Sequence, residues 1–273
     1  MRLAILMDNY VINRSYNLGE PAFSAWIEAG DRKVLFDFGE TGAYLLNAAR
    51  QGLDLGRLDL AVVSHGHGDH TNGIGAWLEA FGQASRFRRP LLVHHPDAFL
   101  PKNLDDVDIG CSVDPSDMAK GFELKPAKEP LDLGGGLLFL GQIERTNIFE
   151  AQEALGERLG PNGWEPDLLL DDSALVSVGK DRIDIITGCS HSGVCNIIEY
   201  ARKVTGIGRV GFVLGGFHLD KSRPALVQAT CDYFSRAGVE SVYACHCTDT
   251  WAKLALSRVC DVEEAGVGLV LET

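Results

Sequence analysis

The chain has 273 residues, 45% of them hydrophobic and 23% charged, enough for a layered core in a single domain over residues 1–273 with two pseudo-similar halves. Its formal net charge of -13 argues against nucleic acid or an anionic membrane as main partner, so a phosphate-bearing substrate must find its positive field locally. Seven cysteines, odd in number and without a C-x-x-C pair, do not suggest a disulfide framework, and no apolar run approaches the ~20 residues of a membrane span. The run Leu3 to Met7 is too short for a signal peptide, which leaves a cytoplasmic, reduced protein as the expectation.

Leu3 to Met7 reads as a first strand, and Ala22 to Glu28 with Lys33 to Phe38 as a hairpin turning at Gly30-Asp31. Thr41 to Gln51 reads as a helix of about three turns closed by Gly52. Leu60-Ala61-Val62-Val63 is then a buried strand that runs into Ser64-His65-Gly66-His67-Gly68-Asp69-His70-Thr71. Three imidazoles and one carboxylate fall within six positions there. Gly66 lets the backbone bend so that His65 and His67 face one point. Asp69 and His70 open a helix expected over Thr71 to Phe81 and face a second point close by. Neutral imidazole and carboxylate are the usual ligands of zinc and similar ions, so the stretch predicts a metal centre.

From Gly82 to Asp172 the pattern weakens. Leu91-Leu92-Val93 is a strand candidate ending at His94-His95, a pair that either serves structure or touches substrate. Residues 96–130 read as a long excursion over the surface, the form that lids and binding loops take. Gly134-Gly135-Gly136 is a turn and not a phosphate cradle, because no Lys-Ser/Thr follows it.

The second half is rhythmic. Strand Ile183 to Thr187 leads through Gly188-Cys189-Ser190-His191 into a helix from about Gly193 to Thr205. Strand Val210 to Leu214 leads through Gly215-Gly216-Phe217-His218 into a helix with Ser222 as N-cap, Pro224 in its first turn and Gly238 beyond its end. Strand Val239 to Ala244 leads into Cys245-His246-Cys247, with Thr248 or Asp249 capping a helix that ends near Val259. Four apolar runs, beginning at Leu60, Ile183, Val210 and Val239, thus each end within about four residues in a histidine. Ligands gather outside the carboxyl ends of strands in open α/β sheets. The alternation predicts an α/β fold, an αββα sandwich with the site at one sheet edge.

The motif H-x-H-x-D-H from His65 to His70 resembles that of the metallo-β-lactamase superfamily. LFDFG at 35–39, NAARQGLDL at 47–55, TGCSHSGVCNIIEYA at 187–201, GGFHL at 215–219 and CHCTD at 245–249 resemble more closely one branch. That branch includes 7,8-dihydropterin-6-methyl-4-(β-D-ribofuranosyl)-aminobenzene-5'-phosphate synthases. The resemblance implies the αββα fold and one or two divalent metal ions. His65, His67 and His191 would hold one ion, and Asp69, His70 and His246 the second. Zinc is favoured, with iron or manganese as alternatives, because an imidazole stands where iron-using relatives place a Glu. Asp69 would also take part in catalysis. His218 would either replace a ligand or act as a proton donor, and Asp37 would orient ligands from behind unless it only forms the turn before Gly39.

Two departures stand out. Most dinuclear members have a bridging aspartate in a T-G-D context, whereas Thr187-Gly188-Cys189-Ser190-His191 offers no carboxylate. Cys189 either supplies a thiolate or is a small buried residue. Glu20-Pro21-Ala22-Phe23-Ser24 stands where the branch tends to have E-H-G-x-S, and Glu20 either reaches the site or is a solvated acid. The expected function is a metal-dependent hydrolase in which a metal-bound hydroxide attacks an anionic, phosphate-bearing small molecule. Lys221 or Arg223 would bind the phosphate, or else simply start a helix. A synthase-like transferase is the alternative. A non-catalytic metal or redox sensor, suggested by Cys245-His246-Cys247, is a third reading, and a homo-oligomer is left open.

Overall fold

The computed structural model describes residues 1–12, 16–82 and 89–273. The first apolar run forms β1 (Arg2–Met7), antiparallel to β2 (Ser24–Ala29), which turns back as β3 (Arg32–Phe36). Helix α1 (Ala43–Arg50) crosses to β4 (Leu60–Val62), parallel to β3, after which the His-rich stretch forms the single turn α2 (Gly68–Thr71) and then α3 (Ile74–Phe81). Strand β5 (Leu91–His94) lies parallel to β4. Residues 96–130 contain β6 (Lys102–Leu104), β7 (Val107–Asp108), α4 (Pro115–Gly121) and β8 (Glu123–Pro126). Then follow β9 (Leu131–Gly134), β10 (Leu137–Phe139), β11 (Glu157–Gly160), β12 (Gly163–Pro166) and β13 (Ala174–Val178). The last third alternates: β14 (Ile183–Thr187), α5 (Val194–Thr205), β15 (Val210–Gly216), α6 (Pro224–Ala237), β16 (Val239–Cys245), α7 (Thr250–Leu256) and β17 (Val270–Glu272).

Two large sheets result, ordered β17-β1-β2-β3-β4-β5-β8 and β16-β15-β14-β13-β10-β9, beside a small one ordered β12-β11-β6-β7. Strands buried on both faces read as continuous apolar runs, and here successive residues point into different cores. Leu3, Ile5, Phe36, Val62 and Val93 of the first large sheet meet Phe139, Leu175, Ile186 and Leu214 of the second. The neighbouring residues Ala4, Leu35, Ala61 and Leu92 face the other way, onto Tyr44 of α1, Ile74 and Trp77 of α3 and Met118 of α4. On the far side, Val176, Ile185, Val213 and Val242 carry Ile197 and Ile198 of α5, Val227 and Phe234 of α6, and Leu256 of α7. Helix, sheet, sheet and helix therefore stack in the order that the alternation predicts.

Several local expectations are corrected. The helix expected over 71–81 is broken at Asn72-Gly73, because Phe38 N donates to His70 O and Gly73 N donates to Gly39 O, which ties this stretch to the exit of β3. Ser222 does not cap α6: its N–H and hydroxyl bind Asp220, and Arg223 holds the N-cap position without a side-chain bond. Asp249 caps α7 by accepting from Ala252 N at 2.7 Å, and that helix ends at Leu256, short of Val259. Residues 96–130 are more than a surface excursion. Lys102, Met118 and Phe122 are buried, and β8 extends the first sheet alongside β5. The apolar pieces there are too short and scattered to show a period.

Phe139 lies between the sheets, fully buried and far in sequence from the histidines. Phe139→Ala is expected to lower the unfolding free energy in urea by about 3–5 kcal/mol, the usual cost of emptying a buried aromatic position. The donor geometry described below should survive, so metal content per folded protein should not change.

Candidate metal centre

The four expected histidines arrive from the carboxyl ends of β4 in the first large sheet and β14, β15 and β16 in the second, so they meet at one edge of the two-sheet sandwich. Left-handed backbone is costly for residues other than glycine and gathers where the fold must aim a side chain. Among the described residues eight non-glycine positions adopt it; three stand at the exits of β14, β15 and β16, Ser190 (φ 54°), His218 (φ 50°) and His246 (φ 49°), and a fourth, Asp37 (φ 58°), at the exit of β3. Hydrogen bonds hold the bends. Ser190 Oγ donates to Gly216 O at 2.7 Å, His246 N donates to Asp8 Oδ1 at 2.7 Å, and His218 N donates to Cys247 Sγ at 3.2 Å. The two halves touch at Gly188, where a Cβ would lie 2.1 Å from Ser64 Oγ. Only glycine lets the β14 exit come this close to the His65 loop.

Donor atoms cluster in three groups, each with its atoms within 4.8 Å of one another. Asp69, His70, Cys189 and His246 form one, His65, Cys189 and His191 a second, and Cys189, His218 and Cys247 a third. In the first, His70 Nε2 lies 3.2 Å from His246 Nε2 and 3.3 Å from Cys189 Sγ, while Asp69 Oδ2 is 3.2 Å from His246 Nε2. His67 stands beside the second group, with its Nδ1 3.1 Å from His65 Nε2 and ring centroids 4.7 Å from His65 and 4.9 Å from His191. The rings of His191 and His218 are 4.4 Å apart.

This donor set fits a divalent cation. Two facing Nε2 atoms can share only one proton, and the buried Nε2 atoms of His67 and His191 have no hydrogen-bond partner in the protein. Such orphaned polar atoms call for a partner. Burial, reinforced by neighbouring imidazoles, pushes His65 and His191 well down, and burial brings His67 down to about 4. These rings are neutral at pH 7, the form that binds metals. Burial opposes charge on His70 too, but Asp69 and Asp37 outweigh it and raise this ring to about 9. Asp69, despite burial, is held well below the usual carboxylate range by His70 and His246.

Asp37 lies where a ligand-orienting residue would be needed. Its Oδ2 is 2.7 Å from His70 Nδ1 and accepts from Ser64 Oγ at 2.7 Å, and its Oδ1 accepts from Ser64 N at 2.7 Å. The bond to His70 Nδ1 leaves Nε2 turned to the donor cluster. Glu20 does not reach the histidines: its carboxylate accepts from Glu40 N, Thr41 N and Thr41 Oγ1 at the entry to α1. Lys221 is exposed and its backbone N–H binds Asp249. Arg223 donates to the His218 carbonyl at 2.5 Å and lines the cavity described below. His94 and His95 are buried at the end of β5, with His94 Nδ1 2.8 Å from His95 O and Asp97 N donating to His95 Nδ1 at 3.1 Å.

Sequence reasoning missed the supports that come from afar. Asp8 and Asn9, at the exit of β1, hold His246 through its N–H (2.7 Å) and its Nδ1 (3.0 Å). Lys102 is buried, its ammonium 2.5 Å from Asp167 Oδ2 and 3.1 Å from Asp171 Oδ1, while Asp171 Oδ2 accepts from Gly66 N at 2.9 Å. Gly66 is pressed so close to Ala98 O that a Cβ would come within 1.7 Å of it. Asp167 and Asp171, in the loop before β13, and a lone lysine at the start of the short β6 give no local signal for such a triad. Only the tie of Asp8 to a strand exit resembles a pattern already visible at Asp37.

Two cavities adjoin the clustered donors and a third does not. One of about 500 Å³ opens beside His191 and His218, walled by Phe149, Leu168, Phe217, Leu226 and Arg223. Another of about 370 Å³ touches His67 and Asp69 from the side of Glu40 and Leu104. A third, of about 360 Å³, is lined by Arg32, Asp59 and Leu91 at the opposite ends of the strands and holds none of the clustered donors.

Removing Lys102 would leave Asp167 and Asp171 buried with no cation between them. Lys102→Met is expected to cost about 3–5 kcal/mol in denaturant unfolding, as for other broken buried ion pairs. Equilibrium dialysis of the folded fraction should also show weaker metal binding, because the Gly66 loop loses its brace.

A model of the metallo-β-lactamase superfamily matches residues 18–202. An uncharacterized protein of Methanocaldococcus jannaschii is 29% identical over 270 residues, 98% of this chain and 99% of its own. The 7,8-dihydropterin-6-methyl-4-(β-D-ribofuranosyl)-aminobenzene-5'-phosphate synthase of the same organism is 28% identical over 239 residues, 80% of this chain and 76% of its own. Among solved structures, a metal-dependent hydrolase of the β-lactamase superfamily superposes with a TM-score of 0.85 at 27% identity, over 100% of this chain and 99% of that one. With its fold, its H-x-H-x-D-H turn and this match over most of its length, the chain belongs to the metallo-β-lactamase superfamily.

Proposed function

We propose that the protein is a metal-dependent hydrolase of a small, anionic, phosphate-bearing molecule. The observation that carries this reading is the convergence of neutral imidazoles with orphaned Nε2 atoms beside a cavity of about 500 Å³. His65, His67 and His191 would hold one divalent ion, zinc by preference, and Asp69, His70 and His246 another. When bound, such ions supply Lewis acidity and make water a stronger acid.

The remaining work falls to this chain's own residues. Asp37 fixes the His70 ring through Nδ1, and Asp8 with Asn9 fixes His246. His218 lines the cavity, and its Nδ1 is buried without a protein partner, so it can hold a proton and deliver it to a leaving group. Arg223 fixes the His218 carbonyl and presents charge to the same cavity, a suitable place for an anionic group. With Glu150 and Glu153 also in the wall and a net charge of -13, an anion needs these cations to remain there.

The likeness to the pterin synthase supports a second reading in the same site, the joining of a pterin-methyl diphosphate to a ribofuranosylaminobenzene phosphate. The metals would then neutralise a diphosphate leaving group. Elemental analysis together with a panel of phosphomonoesters and phosphodiesters separates the two. Metal-dependent hydrolysis that disappears, along with bound metal, in His67→Ala is the expected result. A silent panel together with condensation of the two pterin-pathway substrates would establish the transferase instead.

His218→Gln is expected to retain bound metal while turnover falls by about 10²- to 10⁴-fold, the range for loss of a general acid. Loss of metal on elemental analysis of that variant would make His218 a ligand. Wild-type turnover would remove it from the reaction.

A further inference from the structure

Cys189 belongs to all three donor groups, and no other residue among those described does. Its side chain is 3% exposed, and its Sγ lies 3.3 Å from His70 Nε2. The same sulfur is within 4.8 Å of the donor atoms of Asp69 and His246 on one side and of His65 and His191 on the other. It therefore stands between the two groups that would each hold an ion. The turn that presents it is built for that placement. Gly188 lets the chain pass against Ser64, and the left-handed Ser190, held to Gly216 O and Thr187 Oγ1, sends Cys189 and His191 to the same edge.

The nearby Cys247 belongs only to the third group. Its sulfur accepts from His218 N at 3.2 Å, approaches Cys189 O at 3.6 Å and also meets the side chains of Cys189 and His218, away from the two groups that hold Asp69, His70, His246, His65 and His191.

We propose that Cys189 is a thiolate donor shared by the two ion positions, so that the centre is a mixed nitrogen, oxygen and sulfur site that selects borderline-soft divalent ions over hard ones. This rests on the reading of the cluster as a metal centre. Asp69 is otherwise the only anionic donor in the first two groups, and two divalent ions close together need more negative charge between them. On ligation the thiol releases one proton to solvent and the sulfur lone pair forms the bond to the ion. Thiolate favours zinc, cobalt or cadmium, whereas magnesium and manganese favour oxygen.

Cobalt(II) tests this without any substrate. Wild-type protein stripped of metal and reloaded with cobalt should show visible d–d bands and a thiolate-to-cobalt charge-transfer band in the near ultraviolet. Cys189→Ser should keep the first and lose the second, and its preference for cadmium over manganese should fall at least tenfold. Cys247→Ser should keep both bands. Cobalt d–d bands in the wild type without charge transfer would overturn the thiolate while leaving the metal centre intact. Failure to bind cobalt at all would overturn the metal centre itself. Charge transfer lost in Cys247→Ser and retained in Cys189→Ser would assign the sulfur to the wrong residue. If Cys189→Ser does not fold, the ¹¹³Cd resonance of the wild type decides: a shift typical of sulfur ligation supports the assignment, and one typical of nitrogen and oxygen alone overturns it.

Discussion

The buried carboxylate of Asp37 joins the fold to the candidate site. At the end of β3 it accepts from Ser64 N and Ser64 Oγ and binds His70 Nδ1, all at 2.7 Å, so one group fixes both ends of the His-rich loop. A carboxyl group taken out of water needs hydrogen-bond partners for its oxygens, and these contacts supply them. The partners, in turn, can lie where they do only because β3 and β4 are adjacent and parallel, with Phe36 beside Val62. Backbone strain at Asp37 is the local cost, and the sheet beneath it keeps the strained residue in place.

Around that hub the electrostatics divide by depth. The surface is strongly acidic, yet the interior gathers neutral rings at His65, His67 and His191, which burial keeps uncharged. Beneath the loop the only deeply buried ammonium described, that of Lys102, is spent on Asp167 and Asp171. Where the donors converge, no other buried lysine or arginine stands among the described residues, and Asp69 and Asp37 offset the charge that they hold on His70.

How much of this could be read in advance followed from how local each signal was. The H-x-H-x-D-H turn is contiguous, and His191, His218 and His246 each follow an apolar strand, so their convergence was legible, as were the four layers. Asp37 was legible because it too ends a strand. The brace of Lys102, Asp167 and Asp171 was not, since it joins a three-residue strand to a loop more than sixty residues away. Ser222 has the sequence context of a cap, but Asp220, two residues earlier, takes both its N–H and its hydroxyl. The small sheet of β6, β7, β11 and β12 escaped notice because its strands are short and mostly half-exposed.

The brace on Gly66 has a bearing on the order in which the molecule is assembled. Asp171 reaches Gly66 across 105 residues of chain, and Asp8 reaches His246 across 238. Contacts of such separation close late, after the loop entropy between them has been overcome. A nascent N-terminal half thus carries the full His-rich motif without the neighbours that would aim it. If the cluster is the metal centre proposed above, competence to hold an ion would come with completion of the second half, and metal capture would be a signature of the finished fold and not a nucleus for it.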